Sequence, residues 1–161
     1  MFKIKASYSE QFEVRATAEK VRQFFADTRN FVEKMPNVES IRLQPDGTAL
    51  WTISAQIPVL GSMTEKFAVR LAENTENLIE YSPAQQETKN FLRYAADFEQ
   101  RADGKTQVSI SQTVEIRRKK ASELHLLAGL AGETLISREM QKRVTAMIKT
   151  FLEKARKKLE E

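Results

Sequence analysis

The chain has 161 residues, enough for one domain with its own core and little room for a second. It contains no cysteine and a single histidine, which excludes disulfides, thiolate nucleophiles, cysteine-ligated clusters and any multi-histidine metal site. The net charge of +4 comes from 26 basic against 22 acidic residues, and most of the excess lies in two runs: Arg117-Arg118-Lys119-Lys120, and Lys154 with Arg156, Lys157 and Lys158.

The first segment, Phe2 to Arg15, puts Phe2, Ile4, Ala6, Tyr8, Phe12 and Val14 on even positions and mainly polar residues on odd ones. That is a period-2 strand with one face in the core, and Glu10 interrupts the apolar face as a candidate bulge. Thr17 then caps a short helix with Val21, Phe24 and Phe25 at helical spacing. Asp27 or Thr28 caps a second one carrying Phe31, Val32 and Met35, stopped by Pro36-Asn37.

Six further strands follow, separated by turn signals. Val38 to Leu43 ends at Pro45-Asp46-Gly47, and Thr48 to Ile57 ends at Pro58 and Gly61. Met63 to Ala72 comes next, then a short ambiguous stretch, Asn77 to Ser82. Asn90 to Gln100 and Thr106 to Arg117 flank the turn Ala102 to Lys105. Near the C-terminus the period changes. Ile136, Met140, Val144, Met147, Phe151 and Ala155 form a helical stripe, widened by Ile148 and Leu152. The pattern predicts an amphipathic helix of about 28 residues, ~42 Å long. The preceding Ser122 to Ala131 reads as a short helix or a packed loop.

Short turns force antiparallel neighbours, and one apolar face per strand demands one cover. The long helix is the only element large enough to supply it. The expected architecture is therefore α+β: seven strands in a curved antiparallel sheet wrapped around the C-terminal helix, with two short helices after the first strand, all in one domain spanning residues 1–161.

Several residues are candidates for a site. Trp51, Ile53, Phe67, Tyr94, Ala96 and Phe98 share inward registers on their strands. Met140, Met147 and Phe151 face them from the helix, and a mixed aromatic and methionine lining suits an adaptable apolar pocket as well as a packed core. Glu65 and Gln112 are polar residues on inward registers, so each must find a partner, a solvent path or a ligand. His125 sits among leucines, packed or at the mouth of a cavity. Asp97 and Glu99 face outward and carry no acid–base role. There is no phosphate-binding glycine loop, nucleophile elbow or metal-ligand spacing, so no catalytic set, metal or cofactor is expected.

The basic runs lack interleaved aromatics or glycines, so no nucleic-acid partner is expected. They read as solvated charge, with weak docking to an acidic protein or an anionic membrane through Arg117, Arg118, Lys119 and Lys120 as the alternative. On this reading the run matters little for folding. Met1-Phe2-Lys3-Ile4-Lys5 lacks the apolar run of a signal peptide, and a cytoplasmic location is expected.

Three stretches carry a resemblance. Phe12-Glu13-Val14-Arg15-Ala16-Thr17-Ala18-Glu19-Lys20-Val21 resembles a strand-into-helix opening. Met35-Pro36-Asn37-Val38-Glu39-Ser40-Ile41 resembles a Leu-Pro-Gly-Val step, with Asn37 where glycine is commoner. Leu127-Ala128-Gly129-Leu130-Ala131-Gly132 resembles a small-and-leucine approach to a last helix. Together with the element order, they resemble the helix-grip fold of the START and polyketide-cyclase superfamily, and more narrowly the carbon monoxide dehydrogenase G-subunit family. The resemblance implies a cavity between sheet and long helix that binds a lipid, quinone or polyketide-like molecule. It implies no invariant catalytic set. A cyclase, dehydratase or isomerase using Glu65, Tyr94 or His125 stands as the alternative, as does an accessory protein of a redox enzyme complex. Proteins of the G-subunit family often continue toward a membrane-associated tail. This sequence stops at Glu161, and no such tether is expected.

Overall fold

In the computed structural model, which describes residues 1–161, the alternating segments form one antiparallel sheet. Its strands are β1 (Phe2–Val14), β2 (Val38–Leu43), β3 (Ala49–Ile57), β4 (Gly61–Asn74), β5 (Leu78–Pro83), β6 (Asn90–Gln100) and β7 (Thr106–Arg118). The spatial order is β1-β7-β6-β5-β4-β3-β2, so every strand after β1 pairs with its successor in sequence. The helices α1 (Ala18–Ala26) and α2 (Arg29–Lys34) carry the chain from one edge of the sheet to the other, and α3 (Ala128–Leu159) covers the concave face.

Local chemistry explains the ends of the short elements. The Lys20 backbone N–H donates to Thr17 Oγ1 at 3.3 Å, capping α1. The α2 cap falls to Asp27, whose Oδ1 accepts the Arg29 N–H at 3.0 Å, while Thr28 makes no capping bond. Asn37 takes a left-handed φ of 74°, the conformation that glycine adopts freely and asparagine tolerates best among other residues. Two expectations change. Glu10 makes no bulge: β1 pairs with β7 without interruption, and Glu10 is half-buried on the strand. The register shifts lie instead in β2, between Val38 and Ser40, and in β4, between Leu71 and Glu73. The last helix starts earlier than its stripe, at Ala128, and breaks its regular geometry at Gly132, where φ is 82°.

α3 also seals an edge. β1 is an edge strand, with a free row of N–H groups that would template pairing with another chain. The N–H groups of Lys3, Lys5 and Ser7 donate to Glu133 Oε1 (2.7 Å), Ser137 Oγ (3.2 Å) and Gln141 Oε1 (2.9 Å). Further along, the Arg15 N–H donates to Glu160 Oε2 at 2.9 Å and Arg156 donates to the Glu13 carbonyl at 3.2 Å. The match is metric. Four helical residues rise about 6 Å and two strand residues about 6.7 Å, so side chains four apart on α3 meet alternate N–H groups on β1.

The interior divides in two. Around α1 and α2 it is solid aromatic packing: Phe31 stacks on Phe151 with centroids 4.9 Å apart and meets Trp51 at 5.2 Å and Tyr94 at 5.1 Å. Phe24, Phe25 and Phe98 extend that cluster. The other part, toward the start of α3, holds a cavity.

Candidate functional site

The cavity, of about 70 Å³, lies where the curled sheet brings β3–β4 opposite β1–β7, under the stretch of α3 from Ile136 to Met147. The sheet supplies Ile53, Ala55 and Ile57 from β3, Met63 and Phe67 from β4, and Val114 and Ile116 from β7. Period-2 alternation puts these on one face, and curvature turns them toward one another. α3 supplies Ile136, Met140, Val144 and Met147, its helical stripe. Thirteen of the seventeen lining residues are hydrophobic, and the other four are Ser54, Glu65, Gln112 and Arg143.

The polar four differ in how they are held. Ser54 Oγ donates to Glu39 and lies 2.9 Å from Thr64 Oγ1. Arg143 Nε donates to the Gln56 carbonyl at 3.0 Å, tying α3 to the end of β3. Glu65 belongs to a closed triangle. Arg118 Nη2 donates to Glu65 Oε2 at 3.0 Å, Arg118 Nη1 to Asn90 Oδ1 at 2.9 Å, and Asn90 Nδ2 to Glu65 Oε2 at 2.9 Å. The Arg118 and Glu65 side chains are only 10% and 19% exposed. The triangle has a topological cause. β5 stops at Pro83, so β4 and β6 would part beyond it. Asn90 closes that gap by also donating to the Lys66 carbonyl at 2.8 Å. Gln112 is the exception: it is 2% exposed, and its Oε1 has no hydrogen-bond partner.

The structure brings together Ile53, Phe67, Gln112, Met140, Met147 and Glu65 on the cavity wall. It puts Trp51, Tyr94 and Phe151 in the aromatic cluster around Phe31, and Phe98 against Phe25. Ala96 is fully buried on β6 between Tyr94 and Phe98, away from the wall. Inward register was the right signal for burial. It does not tell which part of a curved interior is hollow. His125 is half-buried outside the wall, its Nδ1 accepting the Leu127 N–H at 3.0 Å. Burial pushes the Tyr94 phenol well above its ordinary range, so it remains neutral. Glu65, Tyr94 and His125 therefore do not converge.

Among the residues that the sequence reading does not place at the site are Asn90, Arg118, Arg143 and Ala55. For two of them the signal was present. Arg118 shares the even register of Val114 and Ile116, and Asn90 that of Leu92 and Tyr94, so alternation alone turns both inward. Arg117 is likewise engaged, donating to Glu115 and lying 4.4 Å from the Phe91 ring centroid. Of the four-residue basic run only Lys119 and Lys120 are exposed, which corrects the expectation of uniformly solvated charge.

No protein-family model matches the chain, and no curated protein sequence matches it. Solved structures do. The di-domain aromatase/cyclase BexL, from the BE-7585A biosynthetic pathway, superposes with a TM-score of 0.63 at 17% identity over 98% of this chain. The chain spans 51% of BexL's length. The Zhui aromatase/cyclase from Streptomyces sp. R1128 gives 0.60 at 14% identity, covering 94% of this chain and 93% of that one. A START superfamily protein from Mycobacterium smegmatis gives 0.52 at 19%, covering 87% and 97%. The fold is the helix grip. At these identities the likeness extends to the backbone and not to the chemistry, which must be argued from the cavity itself. No helix of the protein is long and apolar enough to cross a membrane.

Proposed function

We propose that the protein belongs to the START and polyketide-cyclase superfamily and binds or carries an apolar small molecule, of lipid, quinone or polyketide-like character, between the sheet and α3. The observation that carries this reading is the wall: thirteen hydrophobic residues of seventeen around a space left unfilled beside an otherwise solid core. The names of the structural neighbours, aromatase/cyclases and a START protein, support it. A closer kinship with the carbon monoxide dehydrogenase G-subunit family rests on the three short stretches alone. The cavity is smaller than the ~300–1,000 Å³ typical of ligand sites. Met63, Met140 and Met147 line it, and their unbranched side chains can swing aside as a ligand enters. A cyclase or isomerase needs titratable groups that converge on the reacting atoms. Glu65 is neutralised by Arg118, and neither Tyr94 nor His125 reaches the wall, so binding is favoured over catalysis.

Paired substitutions test this. Ala55 is on the wall, so Ala55→Leu should fill the cavity, weaken binding of the apolar dye N-phenyl-1-naphthylamine at least tenfold, and leave the melting temperature nearly unchanged. Ala96 lies in the solid part, so Ala96→Leu should cost ~1–3 kcal/mol by overpacking and spare the dye. A wild type that binds no apolar dye removes the carrier reading.

A second reading concerns delivery. Leu126 is 90% exposed, Leu130 83% and Leu127 40%; they follow the exposed cations Lys119 and Lys120 in the sequence, as does Leu124, which lines the cavity. Exposed leucines that follow cations along the chain fit an anionic bilayer surface, where each lysine contributes about 1 kcal/mol. In vesicle co-sedimentation, a phosphatidylglycerol and phosphatidylcholine mixture should retain the protein, and Leu126→Ser with Leu130→Ser should release it. Retention unchanged by those substitutions, or equal on pure phosphatidylcholine, counts against the surface.

A further inference from the structure

Within the cavity wall, one polar side chain is unaccounted for; in the aromatic cluster Tyr94 Oη and Trp51 Nε1 are unpartnered as well. Ser54, Glu65 and Arg143 are each held by protein partners, whereas Gln112 Oε1 is buried without one. Gln112 does not owe its position to a crowded surface. It is mid-strand on β7, paired in register with Tyr8 on β1 and Tyr94 on β6. Along β7 the wall runs Gln112, Val114, Ile116; the next inward residue, Ile110, is outside it. Gln112 therefore stands where the hollow part of the interior meets the aromatic cluster, and the wall beyond it is hydrophobic apart from Ser54, Glu65 and Arg143, which have protein partners.

A glutamine carbonyl in such a place accepts from a donor or is left at a loss, because burial has removed its water. Apolar sites commonly combine a hydrophobic lining with few polar groups that fix orientation. Resting on the apolar-ligand reading above, we infer that Gln112 is the polar anchor of the cavity, and that the ligand is an otherwise apolar molecule carrying one hydroxyl, alcoholic or phenolic. Its O–H donates to Gln112 Oε1 at the aromatic end, and its hydrocarbon body lies along Val114, Ile116 and the methionines of α3. The anchor selects among apolar molecules. A hydrocarbon of the same shape leaves the carbonyl unpaired.

The pair 2-naphthol and 2-methylnaphthalene differs by hydroxyl against methyl at nearly constant shape. Titrated calorimetrically into the full-length protein, 2-naphthol should bind about tenfold tighter. Gln112→Leu should abolish the difference, weakening 2-naphthol and strengthening 2-methylnaphthalene, while raising the melting temperature because an unpaired buried amide is gone. Gln112→Met, closer in volume and flexibility, gives the same readout if leucine packs poorly. Equal affinities in the wild type, or a preference for 2-naphthol that survives both substitutions, overturn the anchor and leave the apolar cavity standing. Failure of both compounds to bind the wild type overturns the cavity reading and the anchor with it.

Discussion

A chain ended at Ser137 will lose cooperative unfolding. The deletion removes Val144, Met147, Ile148, Phe151, Leu152 and Leu159, all buried. Each fully buried side chain of this kind contributes ~1.5–3 kcal/mol, so the loss is on the order of 10 kcal/mol. That is comparable with the whole stability of a domain, ~5–15 kcal/mol. The damage has a second component. Gln141, Arg156 and Glu160 leave with the helix, and the β1 edge they cover is bared together with the sheet's apolar face. The expected product is a chain without a sharp thermal transition that elutes as aggregates. Calorimetry and size-exclusion chromatography read both. A truncated chain that melts cooperatively near the full-length temperature would contradict the role assigned to α3.

Arg118→Met should be the most damaging single change in the basic run. It strips the guanidinium from Glu65 and Asn90 and leaves a poorly hydrated carboxylate on the wall of an apolar cavity. Removing one partner of a buried pair costs ~3–5 kcal/mol, and the 10% and 19% exposures put this pair toward the lower end. Arg118→Lys should recover only part of that. One ammonium cannot hold Glu65, Asn90 Oδ1 and the Arg117 carbonyl in the planar fork that the guanidinium provides. Combining Arg118→Met with Glu65→Leu should restore much of the loss, since both charges then disappear together. Lys119→Gln and Lys120→Gln, both exposed, should stay within about 0.5 kcal/mol of the wild type. Denaturant melts of these variants decide it: additive losses for Arg118→Met and Glu65→Leu would mean that the pair is not coupled.

These two experiments probe what differed most in legibility. The C-terminal stripe from Ile136 to Ala155 announced α3 because a helix covering a sheet must present one apolar face, and no other segment was long enough to do so. Arg118 was obscured by its neighbours. A run of four cations looks solvated, yet strand alternation continues through it and turns every second residue inward. Reading Arg118 with Ile116 rather than with Lys119 turns it inward, and only the folded sheet brings it to Glu65.

By itself the sequence determined the fold class, the order of the elements, the inward face of each strand and the covering role of the last helix. Those follow from periodicity, turn chemistry and the need to bury one face, all of which are local. Only the tertiary structure decided which inward residues pack solidly and which surround a cavity. Trp51 and Ile53 alternate on the same strand face, yet Trp51 meets Phe31 while Ile53 faces open space. The difference arises from curvature, from the early end of β5 and from where α3 crosses the sheet. The edge seal likewise needed three dimensions. Glu133, Ser137 and Gln141 are ordinary polar residues four apart in the sequence, and they become partners of Lys3, Lys5 and Ser7 only because helix and strand lie side by side with nearly equal repeats.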